Sequence, residues 1–231
     1  WTHLERQMGG FGTRAGAGET QIEVDRRIIR KKISLLKKKL KSIDSERQVQ
    51  SKKRKSFFRT SFVGYTNVGK SSLMKSVTKS DVLIRNQLFA TLDTTVRRLF
   101  IGNNNYVLLS DTVGFIRNLP DNLIASFKST LQEVVDSDLL LIVLDANSKD
   151  LFNEIETIKS VLKEINANEI DYKYVFNKID LVDPDKISYL KQSFPDSLMV
   201  SATRSLQVSD IKDTIAEKYE EWVSALKNPL H

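Results

Sequence analysis

The chain has 231 residues, 40% of them hydrophobic and 28% charged, with a net charge of +7 and no cysteine. That length accommodates one α/β domain of about 170 residues with an appended segment. The lack of cysteine excludes disulfides and thiolate-held metals, and no apolar run approaches the roughly 20 residues that span a bilayer.

Nothing near the N-terminus resembles a secretory signal, so a cytoplasmic protein is expected, with an organelle matrix as the alternative. The first residue is Trp1 rather than Met, and Thr2–Met8 reads as the tail of a helix, so a longer parent chain is expected. Gly9, Gly10, Gly12, Gly16 and Gly18 make the next stretch a loop. After Glu19 the apolar residues Ile22, Ile29, Ile33, Leu36, Leu40 and Ile43 recur at heptad-like intervals, which predicts a helix with a narrow seam that needs a partner. Between Arg26 and Lys55 there are 14 Lys/Arg against only Asp44 and Glu46, a net +12 that leaves −5 for everything else. The basic helix, rather than the whole surface, is therefore the expected polyanion contact, with Arg26, Arg27, Arg30, Lys31, Lys37 and Lys38 as RNA-contact candidates.

From Phe57 onward, short apolar runs alternate with amphipathic helices. Strands are expected at Phe58–Val63, Arg98–Ile101, Tyr106–Ser110, Leu139–Leu144, Tyr172–Phe176 and Leu198–Val200. Gly102-Asn103-Asn104-Asn105 is hairpin turn chemistry, so the second and third strands run antiparallel. The other connections are helix-length, as parallel βαβ units require. A last helix is expected over Val208–Leu226. The predicted architecture is a linker and basic helical arm at 1–55, followed at 56–231 by an α/β domain with a six-stranded, mostly parallel sheet.

Gly64-Tyr65-Thr66-Asn67-Val68-Gly69-Lys70-Ser71-Ser72 follows the first strand and opens a helix, matching the phosphate-loop pattern in its required context. Glycines let backbone amides curl around a phosphate, the helix N-terminus adds its dipole, Lys70 reaches the β- and γ-phosphates, and Ser71 is placed to ligate Mg²⁺. Asp111-Thr112-Val113-Gly114 ends the third strand. There Asp111 is expected to hold Mg²⁺ through water, and the Gly114 amide to sense the γ-phosphate. Asn177-Lys178-Ile179-Asp180 and Ser201-Ala202 follow the fifth and sixth strands as base-reading elements. The Asp180 carboxylate can accept from guanine N1–H and N2–H, Lys178 can lie along the ring, and the Ala202 amide can face O6. Adenine offers neither donor to that carboxylate. Three threonines, Thr91, Thr94 and Thr95, compete for the Mg²⁺-binding role in the intervening switch loop, with Thr91 favoured. Together the motifs predict a P-loop GTPase that binds GTP and GDP.

Gly9-Gly10-Phe11-Gly12-Thr13-Arg14-Ala15-Gly16-Ala17-Gly18-Glu19-Thr20-Gln21-Ile22-Glu23-Val24-Asp25-Arg26-Arg27, followed by a basic helix and the G motifs, resembles the HflX family of translation-factor-class GTPases. The resemblance implies an upstream helical hairpin and α/β domain, binding to the large ribosomal subunit and its RNA, and separation of stalled ribosomes. Its Phe-Ala-Thr-Leu-Asp motif matches Phe89–Asp93, which supports Thr91; family members often carry proline where this chain has Thr94. Gly114 is followed by Phe115, where many small GTPases have a water-orienting glutamine, so slow intrinsic hydrolysis is expected. Asn67 resembles the asparagine with which related GTPases bind K⁺, making K⁺ a candidate second cation. The alternative expectation is a GTP-dependent switch that docks partner helices or an acidic membrane surface. In either case the chain is expected to act as a monomer.

Overall fold

The computed structural model describes residues 21–54, 56–79, 95–112, 114 and 131–227, and within its first helix the side chains of 23–39. The chain divides into two compact units, Trp1–Arg47 and Gln48–His231. The division falls inside a helix, so the last turns of the helix group with the α/β unit rather than with the arm predicted to end at residue 55.

Helix α1 runs over Gln21–Arg54. It contains no Gly or Pro, it is rich in Lys and Arg, and Glu23 in its first turn complements the helix dipole. Ile29, Ile33 and Leu36 of the predicted seam are exposed, as are Ile28 and Leu35, so the apolar stripe is broader than a strict heptad seam. The side chains of Ile22, Leu40 and Ile43 lie outside the described set. Arg26, Arg27, Arg30, Lys31, Lys37 and Lys38 are all exposed.

The second unit is built from β1 (Arg59–Val63), α2 (Lys70–Thr78), β2 (Thr95–Gly102), β3 (Asn105–Asp111), β4 (Leu139–Asp145), α3 (Leu151–Glu164), β5 (Asp171–Asn177), α4 (Pro184–Ser193), β6 (Leu198–Met199) and α5 (Val208–Lys227). The strands form one sheet in the order β2-β3-β1-β4-β5-β6. All neighbours are parallel except β2 and β3. The six expected strands are therefore present, with shifted ends. β2 begins at Thr95 rather than Arg98 because Thr95, Val96 and Arg97 continue the ladder opposite Asp111, Ser110 and Leu109. Asn103 and Asn104 have φ of 50° and 61°, the positive-φ pair a tight hairpin turn needs.

β4 is apolar without interruption because both of its faces are covered, and Leu139–Leu144 are fully buried. α2 and α5 pack against each other and against β2. Phe58 meets the ring edges of Tyr219 and Trp222 from α5. Asp183 caps α4 by accepting from the Lys186 amide, and Pro184 occupies its first turn. Among the described residues no helix is long and apolar enough to cross a membrane.

The carboxyl ends of the strands carry the motifs. In register, Phe62 lies beside Asp111, and Asp145 beside Asn177. From β1 the chain goes first to β2 and β3 on one side and then crosses back past β1 to β4 on the other, and this reversal opens a crevice at those ends.

Candidate functional site

β1 delivers the chain to Gly64, whose φ is 149° and whose position admits no side chain, since a Cβ there would lie 2.3 Å from the Val143 carbonyl oxygen. Tyr65 and Val68 turn their side chains into the core and serve the loop through their backbones. Asn67 is exposed and left-handed, with φ 63°, and Thr66 is half-buried. Gly69, at φ 99°, begins α2 without a side-chain cap, and the first turn of the helix holds no acid. Its amides and dipole are thus available to an anion. Ser72 is half-buried in the same turn.

Lys70 is the unusual group. Its side chain is buried, and Nζ donates to Tyr65 O at 2.8 Å and to Gly64 O at 3.1 Å. Burial pushes its ammonium down to about 8, against the opposing pull of Asp111. Gly114 abuts the same point: a Cβ on it would fall 2.8 Å from Thr66 Cα and 2.9 Å from Lys70 Nζ. The D-x-x-G segment and the phosphate loop therefore meet at the lysine, and only glycine fits there. Thr112 Oγ1 ties that segment to β1 by donating to Phe62 O at 2.6 Å.

Ser71 Oγ donates to Asp111 Oδ2 at 2.5 Å, bringing together the two residues predicted to hold Mg²⁺. A hydroxyl beside a buried carboxylate is an oxygen donor set suited to that ion. Among the described residues no cluster of three His, Cys, Asp or Glu could hold a metal unaided. The set fits an ion completed by phosphate oxygens and water. Thr95 opens β2 opposite Asp111. Thr91, Thr94 and Phe115 lie outside the described residues, so their predicted roles have no geometry attached.

Asn177 joins the two halves of the cleft. Its Nδ2 donates to Val68 O at 2.8 Å, and its Oδ1 accepts from the Ala202 amide at 3.0 Å. Gly69 makes the first bond feasible, because a Cβ there would sit 2.2 Å from Asn177 Nδ2. The Ala202 amide, expected to face a ring carbonyl, is thus directed at Asn177, the donor that satisfies a buried amide oxygen. Ser201 is fully buried and shapes the loop: its backbone pairs with Leu206, and its Oγ accepts from the Arg204 amide. Asp180, in a short 3₁₀ turn, is exposed.

One partner escaped the sequence reading. Lys178 has φ 65°, and its Nζ donates to Asp145 Oδ2 at 2.7 Å, an ion pair three-quarters buried on both sides. Asp145 closes β4 directly beside Asn177, and its other carboxylate oxygen accepts from the Asn147 amide. Its signal was positional only: a carboxylate at the end of a buried parallel strand, where ligands gather.

A cradle with a lysine, a serine–aspartate pair and an Asn-Lys-x-Asp turn now share one crevice. The family model described as "50S ribosome-binding GTPase" matches residues 59–178, and "GTP-binding GTPase Middle Region" matches 1–54. The chain belongs to the 50S ribosome-binding GTPase family. Among curated relatives it is 55% identical over 180 residues to GTPase HflX of Flavobacterium psychrophilum, covering 78% of this chain and 43% of that protein. It is 41% identical over 222 residues to GTPase HflX of Escherichia coli K12, covering 94% and 52%. The HflX resemblance read from the glycine-rich segment is borne out, and the chain spans about half the length of these GTPases. Among solved structures it is similar to a GTP-binding protein of Sulfolobus solfataricus in complex with GDP, with 27% identity, a TM-score of 0.60, and coverage of 85% of this chain and 60% of that one.

Proposed function

We propose that this GTPase-family chain binds GTP and GDP, hydrolyses GTP to GDP and phosphate, and uses the cycle as a switch on the large ribosomal subunit that separates ribosomes. The observation that carries the guanine-nucleotide part is the Asn177 side chain, which locks the phosphate loop to the base-reading loop in a single cleft. The ribosomal part is supported by the family description and by the exposed basic face of α1.

In this reading the amides of Asn67–Ser71 and the open first turn of α2 take the phosphates. Lys70 exchanges two loop carbonyls for phosphate oxygens, which relieves the cost of its burial. Lys178, steadied by Asp145, lies along the purine, and Asp180 accepts from the guanine edge. Ser71, Asp111 and Thr91 are the residues that would hold Mg²⁺, an ion that neutralises charge on the phosphates when bound. The Gly114 backbone, packed against Lys70, reports the γ-phosphate. With phenylalanine at 115 instead of glutamine, hydrolysis by the chain alone is slow, and a partner surface or K⁺ at Asn67 completes the site.

Co-sedimentation with purified large subunits, with GTP turnover measured alongside, tests the reading. Association in the presence of a non-hydrolysable GTP analogue, lost in GDP and weakened steeply by salt, is the expected result. Turnover should rise on adding subunits, and exceed the Na⁺ rate in K⁺ buffer. Subunit binding indifferent to nucleotide would overturn the switch, and equal rates in the two salts would remove K⁺ from the scheme.

A further inference from the structure

We propose that the β2–β3 hairpin is a second RNA-contact surface, separate from the basic arm, which stacks an unpaired base on Phe100 and holds the flanking phosphates with Arg97 and Arg98. β2 is the edge strand of the sheet, and its side chains alternate between two faces. Leu99 takes the core side and is buried; Arg98 and Phe100 take the other. In the ladder Phe100 stands opposite Tyr106, at 6.1 Å between ring centroids. Phe57 stacks on the same tyrosine at 5.1 Å, and the Arg98 guanidinium lies over that ring at 4.8 Å.

The cluster is unfinished on one side. Phe57 and Tyr106 are half-buried, but Phe100 remains 60% exposed; Arg98 shares its face of the strand, and Arg97, on the Leu99 face by the same alternation, is exposed as well. A ring in that position gains nothing for the core and presents a flat apolar face to an incoming flat group. Charge selects the partner. From Thr95 to Asn105 there is no Asp or Glu, and among the described residues neither arginine makes an ion pair. Lys52, Lys53 and Arg54 precede Phe57 by three to five residues, so chain length alone keeps their charge within about 18 Å of it. An exposed aromatic ring next to arginines outside any ion pair is what single-stranded nucleic acid requires: a stacking platform, which works for any base, plus cations for the backbone. An A-form duplex keeps its bases stacked inside and would leave Phe100 unused.

The proposal takes from the ribosomal reading only the kind of partner, RNA. It is tested by titrating the chain with a fluorescein-labelled single-stranded RNA 12-mer of mixed sequence, an RNA duplex of equal length, and heparin, which has charge but no bases. Phe100→Ala should weaken the single-stranded oligomer by roughly tenfold and leave duplex and heparin unchanged. Arg97→Gln with Arg98→Gln should weaken all three and flatten the salt slope for the single strand by about 1.4 log units per log unit. GTP binding should be unaffected by either variant, which serves as the check on folding.

Unchanged single-strand affinity in Phe100→Ala would overturn the stacking site, and so would equal losses for all three probes. Competition by polyglutamate as effective as that by RNA would also overturn it, and would make the hairpin an acidic-protein surface instead. If large subunits sediment with Phe100→Ala as well as with the parent chain while the 12-mer also binds unchanged, this surface fails and the ribosomal reading stands. If the 12-mer responds but large subunits never bind, the reverse holds.

Discussion

The nucleotide cleft and the arm helix use the same backbone chemistry to opposite ends. In the cleft nearly every polar group is bonded within a few residues of a strand terminus: Asn177 spans two loops, Thr112 is tied to β1, and Ser71 to Asp111. On α1, Ile29, Ile33 and Leu36 stand exposed beside a row of exposed cations. A pre-organised site spends folding energy to hold groups for a small ligand, whereas an uncovered amphipathic helix defers its burial to a larger partner. If this contrast is correct, changes in the cleft will act on nucleotide and fold together, and changes on the arm will act on neither.

The largest effect is expected from Lys70→Ala. It removes the ammonium that faces the phosphates, and GTP and GDP affinity measured by calorimetry should fall at least about a hundredfold while circular dichroism stays native. GTP affinity that survives would break the assignment of the cradle. Asn177→Ala comes next. It leaves the buried Val68 carbonyl and Ala202 amide without their partner, at about 1–3 kcal/mol each, so melting temperature and nucleotide affinity should drop together. A loss of affinity with no loss of stability would show that the two loops are held by something other than this side chain.

The contrast also explains what the sequence could and could not say. Phosphate loops are legible because Gly64 and Gly69 are required by close approach, of the Val143 carbonyl oxygen to one and of the Asn177 side-chain Nδ2 to the other, and a spacing set by geometry survives in the chain. The strands were legible because β4 is a short apolar run and β5 ends in one, and strand ends moved by a residue except at the start of β2, where ladder bonds outlast the apolar pattern by three residues. Asp145 was not legible: a single carboxylate has no spacing signature until folding places it beside Lys178. The Ala202 amide was read as facing a base because the motif order suggests it; the need of a buried Asn177 Oδ1 for a donor directs it elsewhere. The arm's periodicity was plain, but a seam carries no record of what covers it.

Asp180→Asn acts on specificity rather than on the scaffold, since Asp180 is exposed in its turn. The amide can donate to the C2 carbonyl of xanthine but cannot accept both guanine donors, so preference should move from GTP toward XTP by roughly ten- to a hundredfold. A folded variant that still prefers GTP would sink the base-reading role. The effect of pH is smaller. Burial pushes the Lys70 ammonium down to about 8, against 10.5 for an ordinary lysine. The unfolded chain holds the extra proton between those values, so the free fold carries its full burial penalty below about pH 8 and sheds it as pH rises toward 10.5. Phosphates favour the ammonium, so binding should take up a proton above pH 8, and affinity should fall by at most about tenfold from pH 8 to 9. Binding heats in buffers of different ionisation enthalpy at pH 8.5 measure that proton directly; no uptake would mean that Lys70 is already charged in the free protein.

The smallest effect is the one on which the comparison turns. Ile33 is 46% exposed on α1 and Ile29 is 56% exposed, so Ile29→Ser with Ile33→Ser removes apolar surface that stands about half open among the described residues. No cavity forms and no polar group is stranded, and the residual cost is the helix propensity of serine, about 0.5 kcal/mol per site or less. Thermal melting of the α/β unit and GTP affinity should therefore match the parent chain. A drop of several degrees would show that the stripe is already covered by another part of the chain, and the arm would then have to be understood as structure rather than as a surface held open.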